Sequence, residues 1–253
     1  MRAKWGAEPE FFGPRHAHRE GRILDALERA RPASGPHLEC AAGVGSLSAA
    51  IAHSGVTVVA ADMSIRSLHV LSRRVGSGVL PVAADITRLP FQDASFASAT
   101  SAETLEHIPD DALAVQELSR VLLPGAALVG TVPAGPEQWS DWDVWADHQR
   151  RYDRAGLVRL LETAGFRPHV KIWGWPVLRV YDDLFLKKVN RRRLKHEGAI
   201  SQDSSLAAVH TLGKRRVLVA LVRCAFSFDR LFDGVRWGVG LLFVARKPPK
   251  LTP

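Results

Sequence analysis

Cysteine is scarce in this sequence of 253 residues, where only Cys40 and Cys224 occur. Two cysteines so far apart form no disulfide framework and no zinc site. We therefore expect a reducing compartment, the cytoplasm, and no bound metal. Because the chain has neither repeats nor low-complexity runs, fibrous and repeat architectures are not predicted.

Long apolar runs are missing as well. The most apolar late stretch, residues 217–226, is interrupted by Arg223. It is far shorter than the ~20 apolar residues that a membrane-spanning helix needs. Residues 1–20 are mixed and charged, without the apolar centre of a targeting signal. These absences predict a soluble protein.

The charge balance is basic. Lysine and arginine total 34 against 26 acidic residues, which gives a net charge of +8. With 46% apolar and 24% charged residues, the composition is that of a globular protein and excludes a disordered chain. A basic surface suits nucleic acid, anionic lipid or phosphorylated ligands, and the charge alone does not choose among them.

Short apolar strands alternate with helices along most of the chain. Continuous apolar strands in such a pattern predict a parallel sheet with helices on both faces. Ligands bind such sheets outside the carboxyl ends of the strands, so chemistry is expected in the turns that follow them. The predicted strands run through Leu38 and over 56–61, 79–84, 95–101, 126–132, 167–173 and 238–246, and the predicted helices cover 20–31, 64–75, 110–122, 154–164 and much of 176–236.

The first strand leads into LECAAGVGS, residues 38–46. Small residues such as Gly43 and Gly45 let the backbone turn tightly and approach a ligand, and the next helix begins with free N–H groups. Glu39, at the strand end, would favour a cation. The alternative is a tight strand–helix turn that binds no ligand.

Acidic residues also follow the next two strands. Asp62 is placed to accept hydrogen bonds from ribose hydroxyls, although a helix cap would need the same residue type. Asp85 could accept an adenine amino proton while the backbone of Ile86 meets a ring nitrogen, or it could only form a turn. Three acids at three successive strand ends predict a ligand with positive charge, a ribose and an adenine, as in S-adenosylmethionine.

Taken in order, the motifs of this chain resemble those of the class I S-adenosylmethionine-dependent methyltransferases of the small-molecule branch. The resemblance spans roughly residues 20–173 and the final strand. One departure is Ala41, which stands where the family usually has its first glycine. The segments that carry the resemblance are LECAAGVG (38–45), ADMS (61–64), ADITRLPF (84–91), LEHIPD (105–110), LLPGA (122–126), HQRRY (148–152) and LLETAGF (160–166).

The resemblance implies a Rossmann-like sheet of seven strands, mostly parallel with the last strand antiparallel. It implies S-adenosylmethionine as cofactor, with the methionine part, the ribose and the adenine each held by one group of residues. Glu39 and the glycines would face the methionine part, which Ser101 and Ala102 would also line, while Asp62 would face the ribose and Asp85 with Ile86 the adenine. The full set of implied cofactor-binding residues is Glu39, Ala41, Gly43, Gly45, Asp62, Met63, Asp85, Ile86, Ser101 and Ala102.

Acceptor-side residues are harder to assign, because a base is needed only if the acceptor carries a proton at neutral pH. Glu103, His107 and His148 are the candidates; the alternative for the histidines is loop packing. Arg15 and Arg19 could pair with the cofactor carboxylate or be solvated. Three tryptophans at helical spacing could form a lid, stack on the acceptor or pack the core, namely Trp139, Trp142 and Trp145.

We predict an N-terminal arm (1–20), a methyltransferase core (21–175 and 237–247) and a helical cap insertion (176–236). The insertion is far longer than a usual connection, and its apolar residues recur at helical spacing. We expect it to help form an apolar acceptor pocket, with the basic segment 187–196 exposed at the rim toward an anionic group or an anionic membrane. The alternative is a helical layer that only packs the sheet or a second subunit.

The predicted function is methyl transfer from S-adenosylmethionine to a small-molecule or lipid-like acceptor, at oxygen, nitrogen or carbon. One alternative is a nucleic-acid (RNA) methyltransferase, in which the basic patches 191–195 and 214–216 contact phosphates. The chain lacks the turn typical of amino-methylating DNA enzymes after its fourth strand. The other alternative is a cofactor-binding protein without catalysis, acting as a partner.

Overall fold

The computed structural model describes residues 13–30, 34–187 and 216–249. Seven strands form one sheet in the order β3-β2-β1-β4-β5-β7-β6. All neighbouring pairs are parallel except those of β7, which runs antiparallel to both β5 and β6. The predicted fold is confirmed. The strands are β1 His37–Cys40, β2 Val58–Asp62, β3 Val79–Ala83, β4 Phe96–Ala102, β5 Leu122–Pro133, β6 Arg167–Trp173 and β7 Gly240–Arg246.

Helices cover both faces of the sheet. They are α1 Pro14–Ala30, α2 Ser46–Ala52, α3 Ile65–Arg74, α4 Asp111–Val121, α5 Asp141–Trp145, α6 Arg154–Thr163, α7 Val177–Tyr181 and α8 Arg216–Ser227. Short 3₁₀ turns lie at Leu105–His107, Pro136–Gln138 and Phe228–Phe232, and a π-helical turn at Asp182–Leu186 continues α7.

Two buried clusters explain why the central strands are apolar throughout. One face of the sheet packs against α4 and α6 through residues such as Leu118 and Leu157. The other face packs against α1, α2, α3 and α8 through Ile23, Leu71 and Phe226. A strand covered on both sides buries successive side chains, and all four residues of β1 are buried.

The chain direction across the sheet reverses at β1, which lies between β2 and β4. Connections leave β1 and β4 toward opposite sides at this point, so a crevice opens outside their carboxyl ends. The turns that follow β1, β2, β3 and β4 therefore surround the place where a ligand is expected.

Three boundaries differ from prediction. Helix α1 begins at Pro14, so residues 14–20 of the predicted arm are helical. Proline is favoured at the first position of a helix. Residues 1–12 of the arm lie outside the described part of the chain. Strand β5 begins directly at Leu122, with an irregular register against β4 around Pro124. Residues 133–153, for which no helix or strand is predicted, contain α5.

The described parts of the insertion, 176–187 and 216–236, are largely helical. Asp229 joins them, because its carboxylate accepts hydrogen bonds from the backbone N–H groups of Val177 (2.8 Å) and Leu178 (2.9 Å). Arg22 of α1 binds Asp233 (3.0 Å), which holds the second part against the core. Most of the basic segment 187–196 and of the patches 191–195 and 214–216 lies outside the described residues.

No helix among the described residues is long and apolar enough to cross a membrane.

Candidate active site

The turn after β1 is shaped by residues with positive φ angles. Ala41 (55°), Gly43 (54°) and Gly45 (82°) adopt the left-handed region. A Cβ atom at Gly45 would lie 2.6 Å from Cγ of Leu71, so α2 can pack on α3 only without a side chain there. The left-handed residues therefore make a tight turn that leads from β1 into α2.

Asp62 connects the turns after β1 and β2. Its Oδ2 accepts a hydrogen bond from Gly43 N (2.8 Å) and its Oδ1 accepts one from Ser64 N (2.7 Å). Ser64 caps α3 by accepting from Ser67 N (3.2 Å). The side-chain cap of α3 is therefore Ser64, one residue before the helix begins. The ribose role of Asp62 stays a prediction. Met63, beside it, is 76% exposed.

The other predicted cofactor residues surround the same strand ends. Glu39 is buried, and its Oε2 accepts a hydrogen bond from Ser48 Oγ of α2. Asp85 is exposed and its Oδ1 accepts from the backbone and the hydroxyl of Thr87, both at 2.8 Å, which is the predicted turn-forming role. Ile86 is buried below it.

The end of β4 carries a buried hydroxyl and an acid. Ser101 Oγ is buried and has no hydrogen-bond partner among the described residues, and Ala102 beside it is half-buried. Glu103 follows with a φ of 52°. Its Oε2 lies 3.6 Å from Nη1 of Arg19. Burial acts to raise the pKa of Glu103, but Arg19 and Arg15 outweigh it, so the pKa is lowered and the carboxylate is ionised.

Helix α1 supplies both arginines that were predicted to act near the cofactor. Arg19 faces Glu103, whereas Nε of Arg15 donates to Asp182 Oδ2 at 3.2 Å. In this structure each arginine is therefore paired with a carboxylate of the chain itself. The Arg15–Asp182 pair links the end of α7 to the side of the crevice where Glu103 lies.

His107 and His148, two separate candidates for the acceptor side, lie together in the structure. Their rings meet edge to face with centroids 4.7 Å apart. Burial, together with the neighbouring His148, lowers the pKa of His107 to about 4, so this imidazole is neutral at pH 7. Glu106 is fully buried beside them, and neither of its carboxylate oxygens has a hydrogen-bond partner in the described chain.

Electrostatics distinguish the two glutamates at the end of β4. Burial raises the pKa of Glu106 well above its ordinary value, and the negative charge of Glu103 adds to this effect. One oxygen of Glu106 lies 3.9 Å from Nε2 of His107. The ligand-type atoms of Glu106, His107 and His148 all lie within 4.8 Å of one another.

Asp143, which the sequence analysis did not single out, holds the loop that carries His148. Its buried carboxylate lies 2.8 Å from His148 Nδ1 and accepts two hydrogen bonds from Arg151, at 2.7 and 2.9 Å. It also accepts hydrogen bonds from the backbone and hydroxyl of Ser140. Burial opposes ionisation, but these donors bring the pKa of Asp143 well below its usual range. The spacing Ser140-x-x-Asp143 is that of a capping box and was a usable signal.

Two further bonds fix this loop on the segment that follows β4. Gln149 N donates to the backbone oxygen of Glu106 (2.7 Å). Tyr152 OH lies 3.1 Å from the backbone oxygen of Leu105 and 2.7 Å from Oδ2 of Asp111. Arg150 also pairs with Asp111 at 2.6 Å, so residues 150–152 hold the loop before α6 in place.

The three tryptophans lie on and before α5. The rings of Trp142 and Trp145 stack at 4.7 Å between centroids, and both are half-buried. Trp139 is 43% exposed. None of them belongs to the fully buried core of the described residues, so core packing does not explain them.

Comparison with known proteins places these elements in context. Residues 38–130 match the profile of a family described as "Methyltransferase domain". This range begins within β1 and ends within β5, so it contains the four strand ends around the crevice.

Curated relatives match part of the chain. A demethylmenaquinone methyltransferase of Clavibacter sepedonicus is 45% identical over 94 residues, which are 36% of this chain and 38% of that protein. One of Mycobacterium sp. (strain KMS) is 39% identical over 146 residues, 58% of this chain and 60% of that protein. The chain thus spans less than two thirds of the length of these relatives.

Solved structures share the fold. Phosphoethanolamine N-methyltransferase 2 of Haemonchus contortus, solved with phosphomonomethylethanolamine and S-adenosylhomocysteine, superposes with a TM-score of 0.62 at 18% identity. The alignment covers 91% of this chain and 53% of that one. At this identity the likeness shows the fold alone, so the chemistry is argued from the site.

Proposed function

We propose, from the methyltransferase domain over residues 38–130, that this chain is an enzyme that transfers a methyl group from S-adenosylmethionine to a quinone-like small molecule. One observation carries the proposal. The matched range coincides with the strand ends where Asp62 ties the glycine turn to the start of α3. Fold likeness alone would not fix the chemistry.

The residues at these strand ends fit the cofactor. A side chain at Gly45 would collide with Leu71, so the tight turn requires a glycine there, and the buried hydroxyl of Ser101 has no partner among the described residues. We propose that Asp62 uses its remaining lone pairs for the ribose hydroxyls. Glu39 places negative charge near the cationic methionine part, and the turn at Asp85 and Ile86 borders the adenine. When bound, S-adenosylmethionine supplies a methyl group that its sulfonium already activates.

The acceptor side is proposed to lie at Glu103, His107 and His148. All three follow the ends of β4 and β5, and the loop bond from Gln149 to Glu106 brings the two histidines together. Removing a proton from an acceptor hydroxyl raises the nucleophilicity of its oxygen and, in a phenol-like ring, of the ring carbon. The proposed role of this cluster is to handle that proton and to position the acceptor.

The acceptor class is proposed from the relatives together with an apolar groove. The relatives are named for demethylmenaquinone. Between α7 and α8 lies a groove of about 440 Å³ whose lining is apolar apart from one tyrosine hydroxyl. We propose that this groove holds the apolar part of the acceptor, which is the predicted function of the cap. Its lining residues are Val177, Val180, Tyr181, Leu184, Leu221, Val222, Ala225 and Phe226.

A contact with an anionic membrane is proposed for the same side. Leu231 is 77% exposed and Trp237 52% exposed, and the guanidinium of Arg236 lies 5.4 Å from the Trp237 ring centroid. Apolar and basic side chains together suit the interface of an anionic bilayer. Sedimentation with phosphatidylglycerol vesicles, but not with phosphatidylcholine vesicles, is the expected result.

Methyl transfer itself is tested by incubating the chain with isotopically labelled S-adenosylmethionine and reduced demethylmenaquinone. A product heavier by one labelled methyl group supports the proposal. Cofactor binding by calorimetry without transfer to any quinol or extract fraction would favour the non-catalytic alternative. Transfer to RNA instead would overturn the small-molecule assignment.

A further inference from the structure

We propose that Glu106, His107 and His148 form a binding site for a divalent transition cation of the zinc class. Their ligand-type atoms lie within 4.8 Å of one another, although 41 residues separate the two histidines in sequence. The side chains combine one carboxylate with two imidazoles, a set that zinc sites use. A cluster of such residues alone would not suffice, and three further observations support the site.

Glu106 provides the first observation. Its side chain is fully buried, and neither carboxylate oxygen has a hydrogen-bond partner among the described residues. The nearest arginines are committed to other acids, because Arg19 faces Glu103 and Arg151 binds Asp143. A buried carboxylate without partners is costly, and a bound cation would supply both the missing charge and the missing ligand.

The orientation of His148 provides the second. Its Nδ1 lies 2.8 Å from the carboxylate of Asp143, which leaves Nε2 as the ring nitrogen that can face an ion. Metal-binding histidines usually donate their other ring N–H to a carboxylate in this way. Asp143 is itself held by Arg151 and Ser140, so the ring of His148 is fixed before any ion binds.

Distances provide the third. Glu106 Oε1 and His107 Nε2 are 3.9 Å apart. Ligands about 2.0–2.1 Å from a tetrahedral zinc ion lie ~3.3 Å from one another. The ligand separations would therefore have to shorten by about 0.5–1.5 Å for the three groups to close around an ion. Mg²⁺ is less suitable, since it prefers oxygen ligands and keeps several waters.

Three protein ligands leave a coordination position open, as in catalytic zinc sites. Here the inference rests on the proposed function. An acceptor hydroxyl that coordinates at this position would have its pKa lowered by the ion, so that its proton passes to solvent while the oxygen stays metal-bound. The site lies just beyond Ser101 and Ala102 at the end of β4, which is the side proposed for the acceptor.

Metal binding can be measured without any methyl transfer. Chelator-treated protein is titrated with Zn²⁺ against a chromophoric indicator, and Co²⁺ is added separately to record its visible absorption. We expect one ion of each metal per chain. Glu106→Gln and His148→Gln should each weaken Zn²⁺ binding by about tenfold or more and change the Co²⁺ spectrum.

Matched controls are Glu162→Gln and His69→Gln, which change exposed residues of the same types and should bind as the unmodified chain does. Circular dichroism and S-adenosylmethionine affinity show whether each variant is folded. Absence of stoichiometric binding, or binding of equal strength in folded Glu106→Gln, would overturn the site. Metal binding without methyl transfer would contradict only the proposed function, and transfer that survives chelation with no metal bound would contradict only the role of the ion at the acceptor.

Discussion

A carboxylate oxygen of Asp143, in α5, lies 2.8 Å from Nδ1 of His148, in the loop that follows. The same carboxylate accepts two hydrogen bonds from the guanidinium of Arg151. The position of His148 therefore depends on the ion pair between Asp143 and Arg151 and not on the backbone alone. The ring of His148 meets that of His107, which comes from the segment after β4, so Asp143 holds one half of the proposed acceptor side in place.

The first prediction concerns the stability of this loop. Asp143→Ala should lower the free energy of unfolding by about 2–4 kcal/mol, because Arg151, whose side chain is only 13% exposed, would lose its counter-charge. Asp141→Ala, an exposed acid of the same helix, is the control and should cost under ~1 kcal/mol. Urea unfolding of both variants provides the measurement, and equal midpoints would show that Asp143 does not hold the loop.

Cofactor affinity should depend on Asp62. Asp62→Ala removes a charged acceptor from the proposed ribose position and should weaken S-adenosylmethionine binding by ~10- to 100-fold, or about 1.5–3 kcal/mol. Asp153→Ala is matched, since Asp153 also accepts a backbone hydrogen bond at a helix start, from Gly156 N at 2.6 Å. Calorimetric affinities that change equally in both variants would remove Asp62 from the site.

Ala41 has a left-handed backbone that an L side chain adopts at a cost of about 1–2 kcal/mol. Ala41→Gly should therefore raise the free energy of unfolding by about 0.5–1 kcal/mol, the remainder being lost to a more flexible unfolded chain. Ala42→Gly should instead lower the free energy of unfolding, because it removes a buried methyl group and makes the unfolded chain more flexible. If the melting temperatures of the two variants shift in the same direction, backbone strain does not explain the effect of having alanine at position 41, where the family usually has glycine.

Most of the sheet was predictable because central strands covered on both faces are continuously apolar. The strand-end acids were predictable too, since the carboxyl ends of parallel strands share one edge. The meeting of His107 and His148 was not, because a backbone bond from Gln149 to Glu106 creates it. Asp143 was overlooked although its capping-box spacing was visible, and the expectation of no metal rested on the cysteine count alone.

The groove between α7 and α8 yields a kinetic prediction. Leu221 lines it and is 63% exposed. Leu221→Asp should raise KM for an apolar acceptor by about tenfold and leave the cofactor affinity unchanged, because only apolar burial of the acceptor is lost. Leu113→Asp, an exposed leucine of α4, is the control. An unchanged KM in the Leu221 variant would exclude the groove from acceptor binding.

The last prediction is a pH dependence that arises at His37. This residue is buried between strands, with Nδ1 2.8 Å from Ser98 Oγ and Nε2 2.9 Å from Thr100 Oγ1. Burial lowers its pKa to about 3, below the value of about 6.5 expected in the unfolded chain. The unfolded state therefore binds more protons below pH 6.5, so the stabilisation is complete above that pH and is lost as the pH falls toward 3.

The free energy of unfolding that His37 contributes falls by about 1.4 kcal/mol per pH unit, or about 2 kcal/mol between pH 6.5 and pH 5. His37→Gln keeps a donor and an acceptor but does not titrate, so its stability should fall less than that of the unmodified chain between pH 7 and pH 5. Other buried histidines contribute equally to both proteins and cancel in the difference. Denaturant unfolding at the two pH values gives this difference directly. Parallel losses in the two proteins would mean that His37 already carries its proton in the folded state.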